Sequence, residues 1–286
     1  MKRLACVAVA AVALLPLPAA GAGGGLDRGV AFLVSRQQDD GGFAEPGRRS
    51  TPGLSAWAVL GLAAAGHDPG ERAIAYLRTQ ETSVAADLEL RALALVAAHE
   101  DATALLDRIA ALAQPDGTIG GYVNSTAWGV LALRAGGRPV PSAKTVQLLL
   151  AAQTRSGGWS WSGRGAADAD DTAAAVEALR AVGLGGSTTP IARALAFLRR
   201  CQTPSGGFAP SPGGDPNAQT SAWAIQAFLA AGKGPGKKAF AYLARLARPD
   251  GSYAYDGKHA VTPVWVTAEV LPALARKPFP LVVPKG

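Results

Sequence analysis

Apolar residues recur three and four positions apart in stretches of about ten to fourteen, which is a helical spacing, and two kinds of stretch alternate along the chain. Residues 55–66, 126–136 and 221–232 are rich in alanine, carry few charges and are apolar on nearly every face. Residues 71–79 and 191–200 set charges against one apolar stripe. The first kind is expected to be buried inside the molecule and the second to lie outside it with a solvated face. Short alternating runs of β-branched and aromatic residues, which a β-sandwich or barrel requires, are lacking, and aromatics make up only 6% of the chain. The pattern predicts an all-α protein.

Between the two kinds of helix one phrase recurs: a Gln or its equivalent, a short polar turn with glycine, then an aromatic. Gln38 to Phe43 is the first copy, and Gln114, Pro115, Asp116, Gly117 leading to Gly120, Gly121 and Tyr122 is another. Gln153 to Trp159, Gln202 to Phe208 and Arg248 to Tyr253 complete the set, and the wide first gap hides a copy without its turn around residues 80–86. Six units result. After the turn a second helix opens on a Ser, Thr or Asp, often followed by Trp: Ser55-Ala56-Trp57, Thr126-Ala127-Trp128, Ser221-Ala222-Trp223, and in the sixth unit Thr262-Pro263-Val264-Trp265. Glycine supplies the left-handed backbone after a helix C-terminus, and the hydroxyl or carboxylate caps the next helix start. Six outer and six inner helices suggest a closed ring of hairpins. An open solenoid would want polar terminal caps, and the last unit is as apolar as the middle ones.

Residues 1–25 read as a secretory signal, with Lys2 and Arg3 as the charged start, 4–20 as the apolar stretch and Ala20, Gly21, Ala22 as small residues suited to cleavage. An uncleaved anchor is the alternative, though Pro16 and Pro18 interrupt the stretch. The ring then covers 26–275, and 276–286 is an extended tail with Pro278, Pro280 and Pro284. Part of the formal net charge of +7 belongs to the leader, and the remaining Lys and Arg are scattered, with no long basic run to suit nucleic acid. With Cys6 in the leader, Cys201 is the one cysteine of the mature chain, so the domain relies on its core and not on a disulfide.

The Gln to Gly-Gly-aromatic phrase and the capped alanine-rich helix after it resemble the prenyltransferase/squalene oxidase repeat of terpene cyclases and protein prenyltransferase β subunits. The resemblance runs over about residues 26–275 and implies an α6–α6 toroid, here a single exported ring. Function does not follow from that fold alone, because related toroids also serve as non-catalytic exported cobalamin carriers.

Asp168-Ala169-Asp170-Asp171-Thr172 is similar to the DxDD motif of class II terpene cyclases. The resemblance implies Asp170 as proton donor to an alkene, with Asp168 and Asp171 orienting it. Three clustered carboxyls raise one another's pKa, which suits an acid. The competing reading makes Asp171 a helix cap in the place that Ser125 and Thr220 hold in their units. Trp57, Trp128, Trp223 and Trp265 are expected to stand at one repeat position and form an aromatic collar for an apolar or planar ligand. Trp161 joins them from the glycine-rich loop that leads to the aspartates. No metal site is expected: Cys201 precedes a turn on an outer helix, and His67, His99 and His259 belong to separate units. Paired carboxylates for sugar cleavage have no visible second member opposite Asp170.

The expectation is therefore a monomeric, exported, cofactor-free toroid. It would bind an apolar or corrinoid-like ligand, or a separate exported protein, at one mouth without catalysis. The alternative is a class II terpene cyclase-like enzyme acting through Asp170. Nucleic acid is not expected as a partner, nor is a membrane except through an uncleaved leader.

Overall fold

The computed structural model describes residues 22–281. The proposed leader lies almost wholly outside them, as do the last five residues of the tail. Among the described residues twelve α-helices alternate between an outer and an inner layer. The outer helices are α1 (Ala22–Val34), α3 (Glu71–Arg78), α5 (Thr103–Ala111), α7 (Ala143–Ala151), α9 (Thr189–Cys201) and α11 (Lys237–Arg245). The inner helices are α2 (Pro52–Ala64), α4 (Ala85–Ala97), α6 (Val123–Ala135), α8 (Ala169–Ala181), α10 (Ala218–Ala230) and α12 (Pro263–Leu274). Each inner helix packs on the next, α2 on α4 through to α10 on α12, and α12 returns to α2, which closes the ring. This is the predicted all-α toroid.

Each turn is built the same way. The backbone N–H of the turn residue donates to a hydroxyl in the first turn of the inner helix: Phe43 to Ser55, Ile119 to Thr126, Trp159 to Thr172, Phe208 to Ser221 and Tyr253 to Thr267, all at 2.8–2.9 Å. Two expectations are corrected by this register. In the third unit the buried turn residue is Ile119, while Tyr122 is half exposed at the N-terminus of α6. In the sixth the hydroxyl is Thr267 and not Thr262, so Trp265 sits one helical turn nearer the mouth than Trp223 does.

The first turn glycine has a steric role that the sequence leaves hidden. At Gly206, φ is +94° and a Cβ would come within 2.3 Å of the Lys238 carbonyl on the next outer helix. Gly251 makes the same approach to Arg28 of α1, so the last turn closes onto the first helix. Glu45 completes the closure. Its carboxylate accepts the Val264 and Trp265 N–H groups at 3.0 and 2.9 Å, capping α12 from the other end of the chain.

Candidate functional site

The register set by the turn hydroxyls places two rows of side chains around the mouth at the N-terminal ends of the inner helices. Two residues before each hydroxyl is the rim: Asn124, Asp170, Gln219 and Trp265 on α6, α8, α10 and α12. One turn deeper is the floor: Trp57, Trp128, Trp223, Ala174 and Glu269. The helices α10 and α12 are inverted relative to each other, with a polar rim above an aromatic floor in one and an aromatic rim above a carboxyl floor in the other.

Trp57, Trp128 and Trp223 meet edge to face at centroid distances of 5.1–5.6 Å, each touching the other two. They close the ring axis like a three-leaf shutter. Trp265 is not among them: it is partly exposed at the rim, and its indole N–H donates to Glu269 at 2.8 Å. Trp161 also stands apart, stacked on Tyr122 at 4.1 Å outside the ring, both rings about half exposed.

From the opposite mouth the tail enters the lumen. Phe279 is 2% exposed and lies against all three tryptophans at 5.8–6.3 Å, while its N–H donates to Glu177 at 2.9 Å. Burial pushes the Glu177 carboxyl well above the usual carboxylate range. The extended tail is therefore a plug, and it fills the lumen on the side of the indole layer away from the N-terminal mouth.

What stays open is a cavity of about 240 Å3 at the N-terminal mouth, with Asp170, Asn124, Gln219, Tyr255 and Glu269 around the tryptophan floor. The three aspartates divide their roles. Asp168 is the cap, accepting the Asp171 N–H at 2.8 Å, so the capping role falls to Asp168 and not to Asp171. Asp171 turns sideways and accepts from Asn124 at 2.7 Å; burial first, then the neighbouring Asp168, pushes its carboxyl up to about 8. Asp170 has no cap bond and opens on the cavity. The ring wall crowding it pushes its carboxyl up to about 6, with a Thr220 hydrogen bond opposing and Asp168 adding.

Glu269 is the second carboxyl that the sequence reading lacked. It accepts from Gln219 at 2.5 Å as well as from Trp265, and burial, reinforced by the charge of Asp170, pushes it up to about 7. Its signal was the hydroxyl register: aligned on Thr267, it falls where three other units carry Trp57, Trp128 and Trp223. Cys201 is buried and its thiol is pushed up to about 11, which suits a packing residue and not a nucleophile. Among the described residues no group of three or more His, Cys, Asp or Glu side chains converges as metal ligands, and no helix is long and apolar enough to cross a membrane.

This closed ring of six hairpins with its inner mouth defines an α-α toroid. The prenyltransferase alpha-alpha toroid domain family matches residues 172–261. Among solved structures the chain is similar to a variant of the type II terpene cyclase MstE from Scytonema in complex with its substrate geranylgeranyl dihydroxybenzoate. That match has 19% identity and a TM-score of 0.66, covering 89% of this chain and 97% of the other. A protein from Actinoplanes matches at 21% identity and a TM-score of 0.68, over 90% and 99% of the two chains. A polysaccharide lyase matches at 13% identity and 0.63, over 89% and 96%. No curated protein matches in sequence. At these identities the structural likeness speaks for the fold.

Proposed function

We propose that the protein is exported and binds a small ligand, with one flat apolar face and a polar edge, at the N-terminal mouth of the ring, and that it does so without chemistry. The observation that carries this reading is the filled lumen. Three indoles and Phe279 occupy the axis where a polyprene would have to lie, leaving about 240 Å3 of polar mouth. Asn124, Asp170 and Gln219 would meet the polar edge of the ligand and the tryptophan floor its flat face. Export rests on the leader-like composition of residues 1–25.

The test is native mass spectrometry of the exported protein against methyl glycosides, indole, isoprenoid alcohols and a corrinoid. A one-to-one adduct with a small ring compound, weakened in Gln219→Ala and Trp128→Ala, is the expected result. Retention of the isoprenoid alone would overturn it.

One observation favours a second reading, a class II cyclase-like acid. Asp170 is free of the helix cap, faces the cavity and is pushed up to about 6, so it can hold a proton near neutrality. In that case the tail would have to withdraw before substrate entered, and Asp170→Asn would abolish turnover.

A further inference from the structure

The second unit departs from the other five in one place, and there the molecule carries an unmet need. Elsewhere a glycine turn rests on a backbone carbonyl of the next outer helix, and Gly41, Gly117 and Gly206 meet Arg72, Lys144 and Lys238, the second residues of α3, α7 and α11. The corresponding residue of α5 is Ala104, and no glycine turn reaches it. A cavity of about 240 Å3 remains between α4 and α5, lined by Arg78, Arg91, Arg108, Glu81, Asp101 and Ala104 among others.

The inner-helix position beneath the turn is small in the other units: Ala58, Gly129, Ala175, Ala224 and Val270, each three residues after the turn hydroxyl. At Gly129 a Cβ would come within 2.8 Å of Ile119 in its turn. In α4, where the turn is lost, the same position is Arg91. Its side chain grows into the vacated space and is only 3% exposed, and its Nε and Nη1 are sealed with no hydrogen-bond partner.

The surrounding groups are engaged elsewhere. Arg78 pairs with Glu100 at 2.5 Å, Asp101 accepts the Thr103 N–H at 2.9 Å, and Arg108 donates to the Thr82 carbonyl. Glu81, exposed at the rim, acts on Arg91 only through its charge. A buried guanidinium without an acceptor is costly, and its planar fork matches the oxygens of a tetrahedral oxyanion.

We propose that this cavity binds an oxyanion of phosphate or sulfate size, either free or as the terminal group of a larger molecule. Arg91 is the inner donor and Arg108 the outer one. Glu81 competes from the rim.

Calorimetric and melting titrations of the full chain with inorganic phosphate, sulfate and glycerol 3-phosphate, against chloride at matched ionic strength, test it. One saturable site is expected, at least tenfold weaker in Arg91→Met, severalfold weaker in Arg108→Gln and severalfold tighter in Glu81→Gln. If Arg91→Met fails to fold, the two exposed variants carry the test. Tighter binding of glycerol 3-phosphate than of phosphate assigns the site to a terminal group, and equal or weaker binding assigns it to the free ion. No response beyond chloride, or responses unchanged in Arg108→Gln and Glu81→Gln, would overturn the proposal.

Discussion

Phe279 ties the last described residues of the chain to its centre, and replacing it with alanine measures how much the plug contributes. The ring is almost fully buried against three indoles, and truncating such a phenylalanine costs about 3–5 kcal/mol. The loss is capped by the tail's own docking free energy, because a weakened tail can leave the lumen without the helices unfolding. If the tail leaves, the Phe279 N–H is withdrawn from Glu177 as well. For a ring of this size each kcal/mol lowers Tm by roughly 2–4 °C, so a drop of roughly 6–20 °C is expected. Water reaching the far side of Trp57, Trp128 and Trp223 should also shift their emission to the red. Differential scanning calorimetry and fluorescence of Phe279→Ala, beside a chain ending at Arg276, make the assay. The two variants should behave alike. A Tm within about 2 °C of the wild type with unshifted emission would refute the plug.

Four further outcomes follow from the same geometry. Gly206→Ala meets the Lys238 carbonyl at positive φ and should cost roughly 2–4 kcal/mol, whereas Gly47→Ala, at φ +70° with nothing near, should cost about 1 kcal/mol, both read by urea unfolding. Glu45→Ala uncaps α12 and should lower stability by about 1–2 kcal/mol, with faster proteolysis at residues 256–264 where the ring closes. Asp168→Ala should cost about 1 kcal/mol in thermal melts through the lost cap, while Asp170→Asn leaves Tm unchanged or raised. Asp170, Glu269 and Asp171 are pushed up to about 6, 7 and 8, so the folded chain holds protons that the unfolded chain has released. Their contribution is full below the ordinary carboxylate pKa near 4 and is lost as pH rises toward 8, so melting temperature should fall over that window, less steeply in Asp171→Asn. A flat or rising profile would contradict the assignment.

The ring was legible because its grammar is local. A glycine turn and an alanine-rich helix recur within each unit, so periodicity alone implied six hairpins. What escaped depends on contacts across the chain. Glu45 reads as one more loop carboxylate until α12 is placed beside it, more than two hundred residues later. Phe279 sits between prolines in a segment with no helical pattern, and nothing local shows that it enters the lumen. The misplacement of Trp265 has a different origin. Thr262 and Thr267 both offer a hydroxyl near the start of α12, and only the bond from Tyr253 decides between them. That one choice exchanged a tryptophan for Glu269 on the floor and hid the second carboxyl of the mouth. The aspartates illustrate the opposite case: the motif was plain, but Asp168 caps and Asp170 faces the cavity only because α8 begins at Ala169, a helix start that the motif alone does not give.

The central claim is that this ring binds at its mouth and does not convert a polyprene within its lumen. Incubating the wild type and Asp170→Asn with geranylgeraniol and analysing the extract by gas chromatography and mass spectrometry tests it most directly. The account predicts unchanged alcohol from both proteins. A cyclised product formed by the wild type and lost in Asp170→Asn would contradict it.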